Sequence, residues 1–269
     1  MLRGAFAPRF FGHRFAPHWL IWKGMRAAPA HQASSRHRLE FRQSIAELNG
    51  PDPRRKASIV CYAVKEIFLT LQGEGAHAGR PAVFCRFAGC NLWSGREQDR
   101  SGAQCSFCDT DFVGTDGTRG DRYATEDDLA NAIEAEWRGS KQDRFVVLTG
   151  GEPLLQVDGA LVAALHARAF KIAVETNGTI APPAGLDWIC VSPKAGTELR
   201  IKSGNELKLV FPQADARPEL FEALAFDRFS LQPLHGPDLA ENTARAIEYC
   251  LHHPRWRLSV QVHKLIHIR

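Results

Sequence analysis

RFVVLTGGEP, residues 144–153, sets the pattern of the chain. Its first half is a short apolar run of the kind that forms a strand buried on both faces. Its second half, Thr149-Gly150-Gly151-Glu152-Pro153, is small and polar. Small residues at the end of such a strand leave room for a ligand, and in parallel α/β folds sites collect at that end. Asp158 then reads as an N-cap, so a helix is expected over 158–168. Taken alone, the motif is an ordinary strand-to-helix turn.

The unit recurs on both sides. Downstream, a strand over 170–175 ends at Glu175-Thr176-Asn177-Gly178, and one over 188–191 ends at Ser192-Pro193-Lys194. A strand over 206–211 precedes a helix at 218–226. Another over 228–231 ends at Gln232-Pro233-Leu234-His235, before a helix at 238–252 and a last strand over 256–263. Upstream, strands are expected over 63–71 and 81–88, and a helix runs from the Thr125 cap to about Trp137. The first strand ends in Gln72-Gly73-Glu74-Gly75, a tight turn where backbone can approach a ligand. Arg86 sits inside the apolar second strand, where it must be paired, snorkel outward, or face a pocket. Alternating strands and helices call for a parallel α/β sheet. A closed eight-stranded barrel takes about 250 residues, more than remain after the irregular N-terminal stretch. A partial, open β/α barrel with about six core parallel strands is therefore expected.

Between the second strand and the Thr125 helix lies GCNLWSGREQDRSGAQCSFCDTDF, residues 89–112. Fourteen residues separate Cys90 from Cys105, and two separate Cys105 from Cys108. A structural zinc site is usually closed by four protein ligands, and a cubane cluster normally takes four thiolates, one per iron. Three thiolates leave one position open to a non-protein ligand, which points to catalysis. A zinc ribbon would need a second C-x-x-C or an H-x-x-x-H, and none follows. A thioredoxin-like pair at Cys105 and Cys108 leaves Cys90 unexplained. A disulfide framework does not suit a long chain with no clean secretory signal. Cys85, Cys190 and Cys250 read as small buried hydrophobes.

Charge divides the chain unevenly. Residues 1–58 hold 11 Lys or Arg against 3 acids, and the remainder 23 against 27. The larger part thus has no basic excess to suggest nucleic-acid binding, and no apolar run approaches the length of a membrane span. A soluble protein of a reducing, cytoplasmic compartment is the expectation. The first 58 residues are rich in Arg, Ala, Pro and aromatics, with no acid before Glu40. They fit a targeting peptide, a basic arm for RNA or an acidic partner, or sequence upstream of the true start. The last is preferred, because orderly patterning begins abruptly near Val60. Residues 1–59 are thus expected to be a disordered or mis-assigned extension, and 60–269 the working domain.

The three cysteines, TGGEP, ETNG and SPK in that order resemble the radical S-adenosylmethionine (SAM) superfamily, whose partial barrel carries a [4Fe-4S] cluster on three cysteines. Most of that superfamily has three residues between its first two cysteines. The spacing C-x14-C-x2-C, with LQGEG upstream, CDTDF at its end and SPK and QP downstream, resembles the 7-carboxy-7-deazaguanine synthase family over residues 60–269. The resemblance implies conversion of 6-carboxy-5,6,7,8-tetrahydropterin to 7-carboxy-7-deazaguanine with loss of ammonia, a step toward queuosine and related 7-deazapurines. SAM would act there as a regenerated source of the radical that abstracts hydrogen from C6 of the pterin, with Mg2+ assisting. By the same resemblance Cys90, Cys105 and Cys108 hold the cluster and Thr110 gives an oxygen to Mg2+. Phe107, Cys108, Asp109, Gly151, Ser192, Pro193, Lys194, Gln232, Pro233, Leu234 and His235 contact SAM. Leu71, Gln72, Gly73, Arg86 and Thr149 contact substrate, Arg86 through the substrate carboxylate, and the carboxylate of Arg269 does so if the C-terminal segment reaches the pocket. A homodimer and an electron donor of the flavodoxin or ferredoxin kind are further implications. Glu74, Glu175, Asn177, Lys208 and His263 are plausible neighbours without an assigned role.

Two other readings compete. One is a radical SAM activase that makes a glycyl radical on a protein, a family with the shorter cysteine spacing. The other is a non-catalytic metal-binding protein whose basic arm contacts RNA.

Overall fold

The computed structural model describes residues 61–269; the expectations for residues 1–59 lie outside them. Nine strands form one sheet in the order β3-β1-β2-β4-β5-β6-β7-β8-β9. They are β1 (Tyr62–Leu71), β2 (Pro81–Phe87), β3 (Asp121–Tyr123), β4 (Phe145–Gly150), β5 (Lys171–Thr176), β6 (Trp188–Val191), β7 (Ser203–Phe211), β8 (Ala225–Pro233) and β9 (Trp256–Leu258). From β2 to β9 all neighbours are parallel, while β1 pairs antiparallel with β2 and β3. The sheet is open, as a partial barrel requires. Its parallel run, β2 and β4 to β9, holds seven strands against the about six expected.

The strands are apolar on both faces for a reason visible in β4. Val146 and Leu148 belong to the main core, whereas Phe145 and Val147 join Ala82 and Ala173 in a second, smaller cluster. That second cluster, with Phe84 and Trp188 packed against it, fills the sheet's other face near the strand starts. Further along the same face the side chains become Arg86, Thr149 and Glu175, which line a cavity. A period of two thus carries each strand from an apolar floor to a polar mouth.

Helix α1 (Glu126–Glu136) starts at Thr125, whose Oγ1 accepts from the Asp128 N–H at 3.1 Å, and it buries Leu129, Ala130 and Ile133. Helix α2 (Gly159–Ala167) is capped by Asp158, which accepts from the Leu161 N–H at 2.9 Å. Helix α3 (Leu239–His252) and a short α4 (Val262–Leu265) complete the set. Strict alternation of strand and helix does not hold. The β5–β6 and β6–β7 connections are non-helical, the former containing Pro182-Pro183 and Gly185. The helix expected at 218–226 is instead a 3₁₀ turn, Pro218–Leu220, and β8 already begins at Ala225. The strand expected over 256–263 ends at Leu258, and the chain turns inward to α4. Cys85 and Cys190 are buried as expected of core residues, while Cys250 is half-buried.

Candidate active site

A cavity of about 350 Å³ opens at the C-terminal ends of the parallel strands. Cys90, Cys105 and Cys108 line it together with Phe107, Asp109 and Thr110. The β4 end contributes Thr149 and Gly151, the loop after β6 Ser192 and Lys194, and the β8 end Gln232, Pro233, Leu234 and His235. From β1 come Leu71, Gln72 and Gly73, from β2 Arg86, and from the C-terminal segment Arg269. Of the residues expected at the site only Pro193 stays outside; its carbonyl accepts from Gln213 Nε2 at 3.3 Å and so shapes the loop. Glu74, Glu175, Asn177, Lys208 and His263 line the cavity too.

The two glycines of TGGEP explain how Cys90 reaches the mouth. A Cβ on Gly151 would lie 2.1 Å from the Gly89 carbonyl oxygen and 2.8 Å from the Cys90 Cβ, and one on Gly150 (φ +127°) 2.2 Å from the Phe87 carbonyl oxygen. The β4 end therefore lies directly against the backbone leading to Cys90, and the Glu152 N–H donates to the Gly89 carbonyl at 3.0 Å. Glu152 itself is fully buried. Its carboxylate accepts from Leu154 N–H (3.0 Å), Thr176 Oγ1 (2.7 Å) and Asn177 N–H (2.8 Å), tying the β4 and β5 ends together. Burial raises its pKa, against those three hydrogen bonds. Asn177 continues the chain of contacts, donating from Nδ2 to Asn91 Oδ1 at 3.0 Å, one residue past Cys90.

All cysteines among the described residues are free thiols. The neighbouring Cys105 thiol pulls Cys108 down to about 6 and is itself pushed up. Cys90 is raised by burial and feels the charge of Cys108. Among the described residues no three His, Cys, Asp or Glu side chains converge on a point where one ion could sit. Three free thiols lining one cavity are the donor set a cluster takes, each thiolate on its own iron. The residues expected around SAM offer a second sign of fit. Gln232 is buried and its Oε1 has no hydrogen-bond partner, so it awaits a donor from a ligand. Lys194 Nζ donates to the Ser192 carbonyl (2.6 Å) and Oγ (2.8 Å), and burial lowers its pKa. Asn242 of α3 holds the β8 loop through the Leu234 carbonyl at 3.1 Å.

At the opposite side of the cavity, strand register brings Glu66, Arg86 and Thr149 into one row across β1, β2 and β4. Arg86 Nε donates to Glu66 Oε1 at 2.9 Å, while its Nη atoms have no protein partner among the described residues and remain for a ligand. Half-buried Arg86 is thus paired and faces a pocket. Arg269 also engages Glu66, stacks over Phe68 and receives the Thr70 Oγ1 hydrogen bond at its carbonyl (2.8 Å). The C-terminal segment therefore does reach the site. Below it lies a buried charge cluster. Lys208 Nζ donates to Glu74 Oε2 (2.6 Å) and Glu175 Oε2 (3.0 Å), and Gln72 and Gln261 donate to the same two carboxylates. Burial opposes these charges, but the pairing wins. It holds Glu74 down at about 2 and Lys208 above its ordinary range. The His263 ring packs against Gly73, where a Cβ would meet Nδ1 at 2.1 Å, and burial lowers its pKa.

Sequence reasoning missed Glu66, Glu152, Gln261 and Lys264. Glu66 had a legible signal: an acid in an apolar strand, one strand away from the unexplained Arg86. Lys264, which donates to Asp109 at 2.6 Å, had none, because it follows directly on a segment that reads as strand.

An open, mostly parallel β/α barrel with three free cysteines at its mouth defines the class: a partial barrel of the radical SAM type. No protein-family model matches the chain. A 7-carboxy-7-deazaguanine synthase of Bradyrhizobium diazoefficiens is 74% identical over 208 residues, covering 77% of this chain and 99% of that one. One of Caulobacter vibrioides is 68% identical over 205 residues, 76% of this chain and 98% of the relative. The crystal structure of QueE from Escherichia coli superposes with a TM-score of 0.57 at 28% identity, covering 76% of this chain and 95% of that one. The chain belongs to the 7-carboxy-7-deazaguanine synthase family.

Proposed function

We infer that the protein is a lyase that converts 6-carboxy-5,6,7,8-tetrahydropterin to 7-carboxy-7-deazaguanine with loss of ammonia. The observation that carries this reading is the gathering of three free cysteines, an orphaned Gln232 acceptor and the open Nη edge of Arg86 around one cavity. Cys90, Cys105 and Cys108 would hold a [4Fe-4S] cluster, which together with SAM would supply the one-electron chemistry that starts the ring contraction.

The chain's own residues do the rest. Arg86 offers two N–H donors in the fork that suits a carboxylate, and Glu66 fixes the orientation of that fork. Thr149 stands beside it on β4, and the backbone of Leu71–Gly73 borders the ring. Gln232, Ser192 and Lys194 surround the place for SAM. Thr110, directly after the cysteine pair's Asp109, provides an oxygen for Mg2+, which takes oxygen donors and retains open positions. The Glu74–Lys208–Glu175 cluster satisfies its own charges at the cavity floor. The protein would work in the cytoplasm, as a homodimer reduced by a flavodoxin- or ferredoxin-like donor, with residues 60–269 as the catalytic domain. Among the described residues no helix is long and apolar enough to cross a membrane.

Anaerobic reconstitution tests this. The native chain should turn brown and hold about four iron and four sulfide. Cys105→Ala should lose the cluster and all SAM cleavage while remaining folded. Retention of cluster and SAM cleavage by that variant, or zinc in place of iron in the native chain, would refute the assignment.

A further inference from the structure

The fourteen residues between Cys90 and Cys105 are a folded clasp. Trp93 is buried and meets Phe112 edge-on at 5.6 Å. Its Nε1 donates to the Arg96 carbonyl at 3.2 Å, and a 3₁₀ helix, Glu97–Gly102, follows. Arg100 gathers these parts. Its guanidinium lies 4.1 Å over the Trp93 ring, and its Nε donates to both Glu97 oxygens at 2.8 Å. Its Nη1 donates to the Ser106 carbonyl at 2.8 Å and the Cys108 carbonyl at 3.0 Å. One planar cation thus bonds both sides of the Cys105–Cys108 turn while stacked on the segment that leaves Cys90.

We propose that Arg100 is a positioning residue of the cluster site. It holds the cysteine pair at a fixed place relative to Cys90 and sets a positive charge beside the ligands. This rests on the cluster reading above. The guanidinium plane stacks on the indole while its Nε holds Glu97 and its Nη1 reaches both carbonyls, three engagements that a single ammonium point does not reproduce together. A fixed cation near the thiolates favours the more negative, reduced cluster, because net charge and hydrogen bonding set cluster potentials. Lysine keeps the charge without the fork, and glutamine loses the charge, so the two roles separate.

The test uses the full chain, reconstituted anaerobically as native, Arg100→Gln and Arg100→Lys. Midpoint potential by EPR-monitored titration and the rate of iron loss to a chelator are the readouts. Arg100→Gln should shift the reduction equilibrium about tenfold toward the oxidised form, ~59 mV lower for one electron, and lose iron several-fold faster. Arg100→Lys should keep a near-native potential yet lose iron as fast as Arg100→Gln. Native behaviour of both variants in both measurements overturns the proposal, as does an equal potential shift in the two. A native chain that binds no iron at all sinks the cluster reading, and this inference with it.

Discussion

Arg86 and Lys208 show two opposite fates for a charge inside a sheet. Arg86 is tied at Nε by Glu66 and open at its other edge, so removing it takes away a ligand contact. Arg86→Ala should leave iron content unchanged and raise the KM for the carboxylated pterin by roughly ten- to a hundredfold, as loss of a charge-assisted hydrogen bond of about 1.5–3 kcal/mol requires. Steady-state kinetics on the reconstituted enzyme decide it, and a native KM would remove its carboxylate role. Lys208 is 4% exposed and bound to two carboxylates. Lys208→Met strands both, and should cost about 3–5 kcal/mol of stability, read as a lower urea midpoint; an unchanged midpoint would show that the cluster does not hold the floor together. Legibility differs for the same reason. Cys90, Cys105 and Cys108 could be read from residue type and spacing alone. The partners of Lys208 stand 134 and 33 residues away, and no local pattern announces such a contact.

At the scale of elements, β4 carries the most information per residue. Its apolar run and its small, glycine-rich end were visible in RFVVLTGGEP, whereas the burial of Glu152 among the Leu154, Thr176 and Asn177 donors was not. Gly151→Ala places a methyl 2.1 Å from the Gly89 carbonyl oxygen and 2.6 Å from its carbon, backbone atoms that cannot swing aside. It should destabilise the chain by roughly 1–3 kcal/mol and displace Cys90, so that reconstitution gives a substoichiometric cluster. A full iron complement in Gly151→Ala would show that the approach of β4 to Gly89 does not set the Cys90 position. Helices α1, α2 and α3 were legible from caps and periodicity. The C-terminal segment was not. Residues 256–263 alternate as a strand does, yet tertiary contacts override the pattern after Leu258. The Val262 N–H bonds the Gly73 carbonyl at 2.9 Å, the Gly75 N–H donates to Ser259 Oγ at 2.8 Å, and Gln261 turns its amide to Glu74 at 2.8 Å. Pro218–Leu220 misled in the other direction, since its helix-forming composition closes only one 3₁₀ turn before β8.

Over the whole molecule, the open barrel joins its ends through the site. The C-terminal segment runs from β9 to β1, where Arg269 meets Glu66 and Thr70, and Lys264 meets Asp109 of the cysteine loop. Stability should accordingly follow the titration of the buried floor. Glu74 is depressed from 4.5 to about 2, so its contribution is complete above 4.5 and is lost as pH falls toward 2. Urea midpoints of the native chain should fall across that window, and Glu74→Gln should flatten the fall. An equally steep loss in Glu74→Gln would place the acid-sensitive group elsewhere. One assay meets the chemistry directly. The anaerobically reconstituted full chain is incubated with SAM, a strong reductant, Mg2+ and 6-carboxy-5,6,7,8-tetrahydropterin, and products are separated by mass. The account predicts 7-carboxy-7-deazaguanine and ammonia in equal amounts, with SAM not consumed in proportion. SAM cleavage by an intact cluster, with no deazaguanine formed, would contradict it.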